Sequence, residues 1–290
     1  MALPLQVKHQ TTVAKMKEKA IFLFISIIGF SSCQNPKTNA KGELTAADTA
    51  VAIVQSAGEL PSPMEMAILI KQSGAKYNGT LPNSISNIKK YATTASKTIN
   101  LGVYCSDVGY TTLFKETQET MFFLNNCRKL SDEIGVSSAF DKSVFGRVEE
   151  NIDKRDSLLG IITEAYRISN NYLKENNRYG TFMLMMAGGW VESMHLACAM
   201  TNENGLNTEL ASKIADQEIP LGKIITSMQP YATDADVNKA MQDLISIKKT
   251  YESGKLATKN EDGSEVIIDK VLLKSITAQI ETVRKKFTQS

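Results

Sequence analysis

Along most of this chain apolar side chains recur three and four positions apart, the spacing of one face of an α-helix. The first such face begins sharply: Ser62-Pro63-Met64-Glu65 places serine at the cap, proline first in the helix and glutamate third. Met66, Leu69 and Ile70 carry it to Ser73, and Gly74 is its expected stop. After a turn at Asn78-Gly79 and Leu81-Pro82, one long helix is expected from Asn83 or Ser84. It runs through Ile85, Ile88, Ala92, Ala95, Ile99, Val103 and Leu113, with bends at Gly102 and Gly109. Phe123, Cys127, Leu130 and Ile134 form the next stripe, and Gly135 suits its C-terminal cap.

A shorter helix follows over residues 141–152. Asp153 or Asp156 then opens another, with Leu158, Leu159, Ile162, Ala165, Tyr166 and Leu173 inward and Asn176-Asn177 at its end. Residues 208–231 read as helical with a break before Pro220. Thr233 and Asp236 start a helix through Val237, Met241, Leu244 and Tyr251. Asp262-Gly263 marks a turn, Val266-Ile267-Ile268 is a candidate brief strand, and Leu272, Ile276, Ile280, Val283 and Phe287 form a final stripe interrupted by Gln279. The expectation is all-α: a single bundle of about eight to ten helices with little or no sheet and no fixed repeat.

Two segments are apolar all round instead of on one face. Residues 181–200 run Phe182, Met183, Leu184, Met185, Met186, then Gly188-Gly189-Trp190, then Met194, Leu196 and Ala197. Their length fits a membrane, but Glu192 and His195 lie inside and no positive flank sets a topology. A central core helix is therefore expected, with Ala187-Gly188-Gly189 letting a neighbouring backbone come close. The second segment, residues 20–30, spans only about 16 Å as a helix, too short for a bilayer core of about 30 Å. Lys15, Lys17 and Lys19 precede it and Ser31-Ser32-Cys33 follow, the layout of an export signal.

Phe30-Ser31-Ser32-Cys33 resembles the lipobox of bacterial lipoproteins, although phenylalanine stands where leucine is usual. The resemblance implies that residues 1–32 are a removable signal peptide and that Cys33 becomes a lipid-bearing N-terminus. Multiple acyl chains, palmitate among them, would anchor it without a transmembrane helix. Met16 is the preferred start, because residues 1–14 are out of place before such a signal. Gln34, in place of the aspartate that resembles inner-membrane retention, implies the outer membrane. The acid-free stretch Gln34-Asn35-Pro36-Lys37-Thr38-Asn39 implies the periplasmic face over the cell surface. The chain as a whole resembles uncharacterised helical lipoproteins of Gram-negative bacteria, on Thr117-Gln118-Glu119-Thr120 and Ala187-Gly188-Gly189-Trp190-Val191-Glu192. That likeness brings no activity with it. Residues 33–60 read as the lipidated N-terminus and a flexible tether, and residues 61–290 as the helical domain. Within the tether Asp48-Thr49-Ala50 resembles a bacterial O-glycosylation sequon, which makes Thr49 a candidate glycan site.

Charge then changes the picture little. The chain has 33 Lys and Arg against 31 Asp and Glu, a formal +2. Lys8, Lys15, Lys17, Lys19 and Glu18 all precede Cys33, so the remainder carries a slight acidic excess. Nothing in that balance supports nucleic-acid binding. Arg284-Lys285-Lys286 read as a solvated helix end that complements the helix dipole. Beyond Cys33, the cysteines Cys105, Cys127 and Cys198 are odd in number, so at least one stays unpaired in a monomer. A Cys105–Cys127 bridge needs the chain to reverse between them, since on one straight helix they would stand about 33 Å apart. Buried thiols are the favoured reading.

His195 is the one histidine after Cys33, so Ser–His–Asp or Cys–His catalysis would have to use it as base. Glu192 and His195 are spaced as in di-iron bundles, but the second histidine such a site needs does not exist. No serine elbow, zinc motif, phosphate loop or C-x-x-C-H haem attachment is present. No catalytic residue, metal or cofactor is assigned. The expected role is a non-enzymatic lipoprotein that binds or scaffolds a periplasmic protein. The alternative is a small ligand or cofactor, haem or metal, held in the core near Trp190, Glu192 and His195.

Overall fold

The computed structural model describes residues 63–139, 142–151, 154–201, 207–254 and 268–289. The signal, Met16, Cys33, Thr49, the tether and the Ser62 cap fall outside them, as do Asp141, Ile152, Asp153, Asp262-Gly263, Val266 and Ile267. Ten α-helices make up the described part: α1 (Pro63–Gln72), α2 (Thr94–Phe114), α3 (Thr117–Glu133), α4 (Lys142–Glu150), α5 (Arg155–Glu175), α6 (Tyr179–Met200), α7 (Thr208–Ala215), α8 (Glu218–Met228), α9 (Ala235–Ser253) and α10 (Lys270–Gln289). Three short 3-10 turns sit between them and no sheet is present among the described residues, so the all-α bundle is the observed fold. Of the candidate strand only Ile268 is described, and it is buried.

α6 is the axis of the bundle. Every residue from Phe182 to Cys198 is buried, and α1, α2, α5, α7, α8, α9 and α10 all pack against it. Each fully buried Met, Leu or Phe of such a helix contributes roughly 1.5–3 kcal/mol before ordering costs are counted. α2 lies closest, and two glycines explain why. A β-carbon on Gly188 would stand 2.0 Å from the Ile99 carbonyl oxygen, and one on Gly102 1.9 Å from that of Met185. The two helices therefore touch backbone to backbone, with Ser106 Oγ donating across the seam to the Gly189 carbonyl at 2.8 Å. The close approach expected at Ala187-Gly188-Gly189 is present, and Gly102 is its other half.

The helix ends follow local chemistry. Gly135 takes a φ of 65° and closes α3, with the Val136 N–H bonded to the Ser131 carbonyl at 2.9 Å. Asn177, at φ 57°, does the same for α5. The break expected before Pro220 separates α7 from α8, and Pro220 sits in the first turn of α8, where no intrahelical N–H is required.

One element differs from the periodicity. The long helix expected from Ser84 is a 3-10 turn, Ile85–Lys90, followed by a separate helix starting at Thr94. Thr93 forms a capping box with Ser96, accepting from its N–H at 3.0 Å while the Ser96 hydroxyl accepts from the Thr93 N–H at 3.2 Å. The local cap wins over the apolar spacing that continues across it. Residues 73–93 thus form a strap across one flank of α2, with no helical ladder of their own apart from the 3-10 turn. α2 itself runs unbroken through Gly102 and Gly109.

Candidate functional site

The strap, α2, α6 and α10 meet at a buried polar cluster. α6 places Glu192 in the apolar centre with no exposed surface, where a bare carboxylate costs several kcal/mol. α10 supplies the answering charge: Arg284 Nε and Nη2 each donate to a Glu192 oxygen at 2.7 Å, a two-pronged pair. Burial works against the charge on Arg284, but the charge and hydrogen bonds of Glu192, with Glu281, more than offset it, so its proton is held more firmly than usual.

Asp107 reaches the same spot from α2, fully buried. Its Oδ2 accepts from the Asn83 N–H of the strap at 3.2 Å, whereas Oδ1 has no donor facing it. Burial, then the neighbouring Glu192 carboxylate, push its carboxyl well above the usual range. A protonated Asp107 that donates toward Glu192 accounts for both observations. Beside it Asn83 Nδ2 donates to the Tyr91 hydroxyl at 2.8 Å, and the Tyr104 hydroxyl donates to the Ser84 carbonyl at 2.9 Å. Burial holds both phenols above their ordinary values, so they stay neutral.

His195 lies one helical turn beyond Glu192. Its Nδ1 pairs with Glu281 of α10, and its Nε2 donates to the Leu81 carbonyl at 3.1 Å. The same carbonyl accepts from Arg284 Nη2 at 3.2 Å. Burial raises Glu281, but the bond and charge of His195, with Arg284 and Lys285, more than reverse it and leave the carboxyl below its usual range.

Glu192 and His195 are thus linked only through Arg284 and the Leu81 carbonyl, and each bonds to α10 instead of to the other. Trp190 is not part of this cluster: it is about 200° round the helix from Glu192, and its Nε1 donates to Gln217 Oε1 at 3.3 Å, between α7 and α8. Arg284 corrects the reading of residues 284–286 as a solvated end. Its side chain is 16% exposed, whereas Lys285 and Lys286 are exposed as expected, Lys286 reaching Asp243. The signal for Arg284 was its phase, four residues after Ile280 and three before Phe287. Asp107, four residues after Val103, carried the same signal in α2.

Chemically the cluster is a clasp. Charges of opposite sign answer one another, and the strap's backbone groups, which have no ladder partners, are satisfied by side chains from three helices. Among the described residues no three His, Cys, Asp or Glu side chains converge in a way that could hold a metal ion.

No protein family model, curated protein or solved structure matches this chain.

Proposed function

We propose that this protein is an outer-membrane lipoprotein, held by lipid on Cys33, whose helical domain faces the periplasm as a non-enzymatic binding or scaffolding module. The observation that carries this is the run from Lys15 to Cys33: three lysines, an apolar stretch too short to span, and small residues before a cysteine. The bundle supports it in two ways. α6, the most apolar of the described helices, is enclosed by other helices and serves as core, and no described helix is long and apolar enough to cross a membrane. The groups that catalysis would call on, Glu192, His195 and Arg284, are engaged with Glu281, Leu81 and one another.

Replacing Cys33 tests the proposal. The full chain with Cys33→Ser, expressed in a Gram-negative host fed labelled palmitate, should lose the label and leave the membrane fraction. Unchanged label or unchanged membrane association overturns the reading.

A further inference from the structure

α2 and α3 form an antiparallel hairpin that reverses at Lys115, whose φ is 65°, and Glu116. Cross-hairpin neighbours are therefore placed evenly about that turn. Thr120 donates to Thr111 at 2.9 Å, and two turns further on Cys127 meets Cys105 with their sulfurs 3.7 Å apart. The reversal on which a bridge depends is present. We propose that Cys105 and Cys127 are a disulfide-forming pair, oxidised by exchange with an external disulfide to lock the α2–α3 hairpin.

Three features of the pair support exchange over two inert packed thiols. A bonded pair of sulfurs stands about 2.05 Å apart, so closure needs a shift well within side-chain rotation. An apolar cavity of about 70 Å³ adjoins them, lined by both cysteines with Leu124, Val148, Ile162 and Met185, and gives that shift room. The two thiols also differ in access. Cys105 is partly exposed and can meet an external disulfide, whereas Cys127 is buried and is left to close the bridge from within.

The order of events follows. The Cys105 thiolate attacks one sulfur of the external disulfide and expels the other as a thiolate, which takes up the proton that Cys105 gave to solvent. Cys127 then gives up its proton and attacks the Cys105 sulfur, and the second external thiolate leaves and is protonated. One disulfide is reduced to two thiols, and two protein thiols become one disulfide. Cys198 does not compete. It is buried on α6, its thiol pushed up to about 12 by burial despite a bond to Thr277 on α10. The odd cysteine of the count is therefore Cys198.

The inference needs no lipid on Cys33, and its test reads the same whether or not Cys33 is modified. The purified full chain is incubated with glutathione disulfide, denatured in acid, alkylated and digested with trypsin. Peptides 98–115 and 116–128 should appear joined, with loss of alkylation at both cysteines and full alkylation at Cys198. Dithiothreitol should release them. Cys127→Ala should instead trap glutathione on Cys105. The oxidised chain should melt higher by about 5 °C. Full alkylation of Cys105 and Cys127 after oxidation, a link from either to Cys198, or glutathione left on wild-type Cys105 overturns the proposal.

Discussion

Two successive stretches along one side of α6 join it to neighbours by opposite physics. On one, Gly188 meets α2 through bare backbone, with no charge and no spare volume. On the other, Glu192 and His195 meet α10 and the strap through charges and carbonyls. Both are buried, yet they fail differently. The glycine stretch tolerates no added atom, whereas the charged stretch tolerates a change of shape but not the loss of one partner.

The comparison breaks most visibly at Gly188. Valine there places a β-carbon against the Ile99 carbonyl, and the helices must part. We expect a loss of about 4 kcal/mol or more, read as a collapsed thermal transition in circular dichroism. Gly160→Ala is the control: nothing lies within 4 Å of that site in α5, and alanine should stabilise by about 0.5–1 kcal/mol. A Gly188→Val protein that melts like wild type would refute the contact.

Next in size is Arg284→Met. It leaves Glu192 buried without its cation, at a cost of about 3–5 kcal/mol in urea unfolding. Adding Glu192→Met should restore most of that, because the pair's worth lies mainly in each partner answering the other. Equal loss in single and double variants would mean that Arg284 matters by volume alone.

Asp107→Asn is smallest and runs the other way. The unfolded carboxyl ionises near its model value of 3.8, while the folded one keeps its proton to a much higher pH. The folded state thus binds more protons above that value, and wild-type stability falls as pH rises from there toward the folded pKa. Asparagine keeps the hydrogen-bonding shape without that penalty. It should stabilise by about 1–2 kcal/mol at neutral pH, with the gain shrinking toward about pH 4. A pH-independent difference would sink the protonated-carboxyl assignment.

What the sequence disclosed and what it hid follow the same division. Gly135, Asn177 and the Pro220 break were readable because caps and breaks are settled within a turn or two of chain. α6 was readable as core because its apolar residues leave no polar face, and its glycines announced a close neighbour without naming α2. The split at Thr93 was hidden because Ile88, Ala92 and Ala95 keep helical spacing through it while the deciding bond is the threonine's own. Arg284 was hidden by its company: beside Lys285 and Lys286 it looked solvated, although its phase matched Ile280. Its partner stands ninety-two residues away, and neither pattern nor propensity reports a pairing at that separation. The meeting of Cys105 and Cys127 hung on one reversal at Lys115, a residue with no turn preference to advertise.

The shared carbonyl of Leu81 also bears on the order in which the bundle can assemble during synthesis. It accepts from His195 and from Arg284, so the loop between α1 and α2 is fastened in part by a residue 203 positions later in the chain. A chain cut short before residue 284 keeps every glycine contact of α2 and α6, yet presents Glu192 and Asp107 to a core with no cation. α10 is thus what closes the clasp, and products truncated before it should fall to proteolysis from the strap inward.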